Sequence, residues 1–132
     1  MDIIVTVPRD FGLGTWIDEG QLPGEEWNKK EYHFYLYGTP PQIGPGERVY
    51  ILFNGAIRGY APLVRIDRFS NGRYGLVRYG GAVAVTTPEY IRGFRGFRYR
   101  WWPISAERPF PDWQNPVPVV RKKHIEWDKK GV

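Results

Sequence analysis

The 132-residue chain contains no cysteine. That absence excludes disulfide staples, cysteine-ligated zinc and a thiol nucleophile, and it fits a reducing compartment. Long apolar runs are missing too, and no stretch approaches the ~18 residues that span a bilayer as a helix. The opening residues Met1-Asp2-Ile3-Ile4-Val5-Thr6-Val7 have no basic flank and no small-residue cleavage pattern, so they read as a strand and not as a secretory leader. A cytoplasmic protein with no membrane partner is the expectation. Histidine is scarce, and neither His33 nor His124 has acid or thiol company at metal-ligand spacing. No metal and no other cofactor is expected.

Catalytic signatures are equally thin. No nucleophile elbow and no phosphate-cradling glycine loop with its lysine is present. Ser70, Thr86, Thr87 and Ser105 lack an evident base, and the Glu25–Glu26 pair sits in a glycine-flanked loop that favours solvation over catalysis.

What the chain does have is backbone punctuation and aromatic mass. Sixteen glycines and 12 prolines argue for short elements and tight turns, while 42% hydrophobic and 17% aromatic residues supply one core. The length suits a single domain over residues 1–132. Charge is uneven: residues 1–66 hold 6 basic and 8 acidic side chains, whereas residues 67–132 hold 13 and 6. A basic second half suggests a face that attracts polyanions, against the plainer reading of solubilising charge.

Periodicity predicts mostly strands. Residues 2–7 are mostly β-branched and residues 32–37 mostly aromatic, and Thr15 and Gly20 bracket one or two helical turns. Asn54-Gly55, Asn71-Gly72 and Gly80-Gly81 separate strands at 47–53, 56–69, 73–79 and 82–87, which predicts an antiparallel meander of four. A short helical turn after Pro88, a strand over 96–102 and a closing strand over 117–125 complete the expectation. Residues 103–132 form a proline-spaced basic extension whose role is left open between electrostatic support and a solubilising terminus. The fold class is mainly β (α+β), a small barrel.

The stretch Gly44-Pro45-Gly46-Glu47-Arg48-Val49-Tyr50-Ile51-Leu52-Phe53-Asn54-Gly55-Ala56-Ile57-Arg58-Gly59-Tyr60-Ala61 resembles the central hairpin of the PUA-like superfamily, notably its ASCH and EVE domains. In those domains a Gly-Asp turn precedes one strand, and an apolar-x-Gly triplet opens the next; here Gly46-Glu47 replaces Gly-Asp. The resemblance implies a PUA-like β-barrel of five to six strands, with one or two short helices and a pocket beside the first. It further implies binding of RNA or of a modified base. The alternative it carries is a small ASCH-type hydrolase, either a ribonuclease or a nucleoside amidohydrolase. The amidohydrolase branch's Gly-x-Lys-x-x-Thr-x-Arg signature is missing from residues 12–30.

The densest local signal is Ile91-Arg92-Gly93-Phe94-Arg95-Gly96-Phe97-Arg98-Tyr99-Arg100-Trp101-Trp102, with four arginines, five aromatics and no acid. Guanidinium forks bind phosphate and planar rings stack on bases, so interleaving them suits nucleic acid. If residues 96–102 are extended, Phe97, Tyr99 and Trp101 share one face, and Arg98, Arg100 and Trp102 share the other. The first three are candidates to fill the barrel. The candidate nucleic-acid residues are therefore Arg92, Arg95, Arg98, Arg100 and Trp102, joined by Trp16 on the first helix. Trp16 reads either as a pocket wall against an extruded base or as a helix-to-barrel contact. Trp27 is open between a lid and a partner contact, and His33 reads as structural or surface. A protein-interaction module meeting an acidic partner is the third class left standing.

Overall fold

The computed structural model describes residues 1–8, 31–79 and 82–109. Among the described residues nine strands run in chain order: β1 Ile3–Thr6, β2 Tyr32–Tyr37, β3 Arg48–Phe53, β4 Ala56–Pro62, β5 Arg65–Arg68, β6 Arg73–Arg78, β7 Val85–Thr86, β8 Phe97–Tyr99 and β9 Arg108–Pro109. One 3₁₀ turn, Ile104–Ala106, is the only helical element among the described residues. The fold is mainly β, as its composition predicts. Its strands divide into three sheets, ordered β4-β3-β1-β8, β2-β6-β5 and β7-β9. No closed barrel joins them among the described residues. The expected first helix with Trp16, the Gly80-Gly81 turn and the strand at 117–125 lie outside those residues.

The first sheet is buried on both faces, which explains the unbroken apolar runs of β1 and β3. Ile3, Val5, Val7, Val49, Ile51 and Phe53 face the second sheet, where Tyr74 and Leu76 meet them. The opposite face presents Ile4, Tyr50, Leu52 and Ile57 to Ile91 and Trp102. β1 occupies an interior position, parallel to β3 and antiparallel to β8.

The β3–β4 hairpin turns as its residues predict. Asn54 (φ 55°) and Gly55 (φ 86°) are both left-handed, the backbone a two-residue hairpin with right-twisted strands requires. The second turn differs: Phe69 N–H donates to the Arg73 carbonyl at 2.9 Å across Ser70-Asn71-Gly72, a three-residue loop in which only Gly72 is left-handed.

The four-strand meander is corrected. The predicted strand at 56–69 breaks after Pro62, and Val64 N–H bonds the Val77 carbonyl at 2.7 Å, carrying the chain from the first sheet to the second. β6 then pairs with β2 on its free side and not with the residues that follow it. Val83 instead bridges Tyr60 of β4, and β7 pairs with β9. No helical turn follows Pro88.

A bulge interrupts the β3–β4 register. Ile51 faces Gly59 and Leu52 faces Ile57, which leaves Arg58 as the extra residue. Arg58 is fully buried, and its Nε–H donates to the Phe53 carbonyl at 3.1 Å. Burial lowers its pKa.

Candidate nucleic-acid interface

The arginine-rich segment is tied down before it reaches β8. Ile91 is buried in the outer core, and its N–H donates to the Gly55 carbonyl at 2.9 Å. Phe94 N–H donates to Thr6 Oγ1 at 3.2 Å, and the Phe94 ring packs on the same core. Gly93 lies close against β1, where an added Cβ would come within 3.2 Å of the Thr6 methyl. These anchors hold the segment across the ends of β1 and the β3–β4 hairpin.

Between and beyond the anchors, Arg92, Arg95 and Arg98 point into solvent. Arg98 places its guanidinium 4.5 Å from the Phe94 ring centroid, which limits its conformations without neutralising its charge. None of the three has a carboxylate partner among the described residues.

Arg100 and Trp102 have different surroundings. Arg100 N–H donates to the Asp2 carbonyl at 3.0 Å, and its Nε donates to Asp2 Oδ2 at 3.1 Å. Its Nη1 reaches the Trp102 carbonyl. Trp102 is 6% exposed, with its indole edge-on to Tyr50 at 5.2 Å. The extended strand ends at Tyr99, so strict alternation fails after it, and Pro103 redirects the chain. The indole expected to stack on a base is thereby turned into the core. Phe97 packs between the sheets as the alternation predicts, whereas Tyr99 and Trp101 are exposed. Tyr99 accepts the Gln42 N–H through its hydroxyl at 3.0 Å, and Trp101 donates its Nε1–H to Glu89 Oε1 at 3.0 Å. Trp16 and Trp27 lie outside the described residues.

Comparison with known proteins supplies no kinship. No family model, no curated protein and no solved structure matches the chain.

Two clusters escaped the sequence reading. The first gathers on Glu107, whose side chain is only 6% exposed. Its Oε2 accepts the Tyr50 hydroxyl and the Trp102 Nε1–H at 2.8 Å, while Oε1 accepts Arg48 Nη1 at 3.0 Å. Burial, aided by the bond to Glu107, raises the Tyr50 pKa well above its ordinary value. Tyr50 therefore stays a neutral donor, and the carboxylate is spoken for on both oxygens. Such an arrangement clamps the 102–107 segment to β3; it leaves no oxygen available as a general base.

The second cluster lies on the outer face of β2, β6 and β5. Arg65 grips both Glu31 oxygens (2.6 and 2.8 Å) and Asp67 Oδ1 (2.8 Å), and His33 Nε2 lies 3.1 Å from Asp67 Oδ2. Arg65 first, then His33, lowers the Asp67 pKa. A carboxylate depressed on folding stabilises above its unfolded pKa of about 4 and loses that contribution as pH falls through the lower folded value. The Arg65 ion pairs are thus complete at neutral pH. Beside them, Arg73 sits 3.9 Å from the Tyr35 ring centroid, and the His33 ring lies parallel to Tyr35 at 5.4 Å. The signal for this cluster was present in residues 32–37, where every second residue is His33, Tyr35 or Tyr37. Among the described residues no group of three His, Cys, Asp or Glu side chains gathers as a metal site requires, and no helix is long and apolar enough to cross a membrane.

Proposed function

We propose that this protein is a nucleic-acid-binding module, PUA-like in kind and cytoplasmic, that grips phosphates with Arg92, Arg95 and Arg98. One observation carries the reading: three solvent-facing guanidinium groups lie within seven residues, with no carboxylate partner among the described residues. They stand on backbone fixed by Ile91 and Phe94. Fixed cations lose less freedom on meeting a phosphate than cations on a loose loop. The PUA-like character draws its support from the β3–β4 hairpin, which Gly46 enters with a left-handed backbone (φ 85°). Arg100 and Trp102 contribute by holding the segment in place, not by touching the ligand.

Fluorescence anisotropy with labelled RNA and DNA at several salt concentrations tests the proposal. Wild type should bind in the micromolar range at low salt, with affinity falling linearly against log salt. Replacing Arg92, Arg95 and Arg98 together by alanine should reduce that slope by about two for single strands, at roughly 0.7 per phosphate contact. The exposed sites should leave the melting temperature nearly unchanged. Wild type that binds nothing at low salt would remove the reading.

A further inference from the structure

An antiparallel sheet with one solvated face ordinarily shows polar side chains there. The outer face of β2-β6-β5 carries large rings beside its charged residues. Tyr37 is 70% exposed, and Tyr35 and Phe69 are each 44% exposed. Their neighbours on the same strands, Phe34, Leu36, Tyr74 and Leu76, point inward to the core. The rings outside are therefore surplus to folding, and they cluster as interaction sites do.

Their arrangement is specific. Tyr37 pairs with Arg73 across β2 and β6, and Phe69 N–H bonds the Arg73 carbonyl from the other side. Arg73 thus stands between Tyr37 and Phe69 in a row across the three strands, with its guanidinium leaning over Tyr35. Arg73 is 3.9 Å from the Tyr35 centroid and 5.9 Å from that of Phe69. Tyr37 meets no ring or cation among the described residues. Gly75 keeps the centre low: a Cβ there would come 3.1 Å from the His33 ring and 3.3 Å from Tyr35.

Charge selects the occupant. Both carboxylates at this face, Glu31 and Asp67, are already held by Arg65, and Asp67 also by His33. Arg73 has no carboxylate partner among the described residues. The face offers open rings and a cation without a competing anion, which fits phosphate-linked planar groups better than an acidic or apolar protein surface. Strands lie about 4.8 Å apart, so rings on either side of Arg73 stand about 10 Å from one another, a reach of roughly two extended nucleotides.

We infer that the outer face of β2-β6-β5 is a stacking surface for single-stranded nucleic acid, with bases on Tyr37 and Phe69 and the intervening phosphate on Arg73. The inference rests on the nucleic-acid reading and adds strandedness to it. A duplex keeps its bases stacked on each other and presents no ring faces to this surface.

The deciding experiment is anisotropy with a labelled oligothymidine of about twelve nucleotides, and with a duplex of the same length, on wild type and the Tyr37→Ala/Phe69→Ala variant. Loss of about tenfold per ring for the single strand, with duplex binding unchanged, is the expected result. Arg73→Gln should weaken the single strand and flatten its salt dependence. Single-strand binding unaltered in the double variant, while wild type still binds, would overturn the stacking surface and leave the arginine reading intact. Wild type that binds neither probe would overturn both. A double variant that changes only the apparent mass in solution would overturn the stacking surface in favour of a contact between copies of this chain. Both aromatic sites are exposed, so a matching thermal melt confirms that the variant is folded.

Discussion

Replacing Glu107 by alanine should lower stability by about 3 kcal/mol, the lower end of the cost of removing one partner of a buried charged pair. For a domain near this size that is a fall of about 10 °C in melting temperature, read by circular dichroism. The size follows from what the substitution leaves behind. Tyr50 O–H, Trp102 Nε1–H and Arg48 Nη1 all donate to this one carboxylate. Without it, the indole and phenol are buried donors with no acceptor, and each such group costs about 1–3 kcal/mol. Arg48 is partly exposed and stays stacked 4.1 Å over Tyr60, so its share is smaller. Glu107→Gln should fall between wild type and alanine, because its carbonyl serves the Tyr50 and Trp102 donors while its amide faces a guanidinium. The tryptophan emission as a whole should shift to the red with the alanine variant as Trp102 is exposed and the 102–107 segment loosens. An alanine variant melting within about 2 °C of wild type would show that the clamp is not what holds this segment.

Gly55→Ala should be about as damaging, for two separable reasons. Gly55 has φ 86°, where an L side chain costs about 1–2 kcal/mol. In addition, the new methyl would lie within 2.8 Å of three carbons of the Tyr90 ring, so the ring must move. Displacing a packed ring adds about 1–3 kcal/mol. Gly72→Ala is the control, because Gly72 is also left-handed (φ 82°) but has open space around it. It should lose only the backbone part, about 1–2 kcal/mol by the same rule. Chemical denaturation of both variants separates the two contributions, and equal losses would show that the Tyr90 contact is soft. Ile91 N–H bonds the Gly55 carbonyl. The Gly55 variant should therefore also weaken nucleic-acid binding through the neighbouring arginines, whereas the Gly72 variant should not.

Local signals proved readable and distant partners did not. Asn54-Gly55 announced its turn because both residues tolerate a left-handed backbone, and residues 32–37 announced β2 by composition and alternation. What β6 would pair with was hidden, since Arg73 to Arg78 carries no mark distinguishing β2 from the strand following Gly80-Gly81. The break within 56–69 hung on Pro62, whose missing N–H weakens continuation without forbidding it. In the arginine segment, four guanidinium groups look alike in sequence. Asp2, 98 positions away from Arg100, separates that arginine from Arg92, Arg95 and Arg98. Trp102 similarly owes its burial to Glu107 and Tyr50, neither of which any short-range pattern connects to it.

The interior place of β1 has a consequence for how the molecule assembles. Ile3 to Thr6 pairs with residues 46 positions later on one side and more than 90 positions later on the other. On a ribosome this strand emerges before both partners and finds its second neighbour only after β8 has been made. Until then Ile3, Ile4 and Val5 have no complete slot to fill. The β3–β4 and β5–β6 hairpins close over short loops and can form early, so β1 is the keystone dropped in late. Chains built this way fold slowly for their size, because most of the entropy of ordering is lost before the last pairing rewards it.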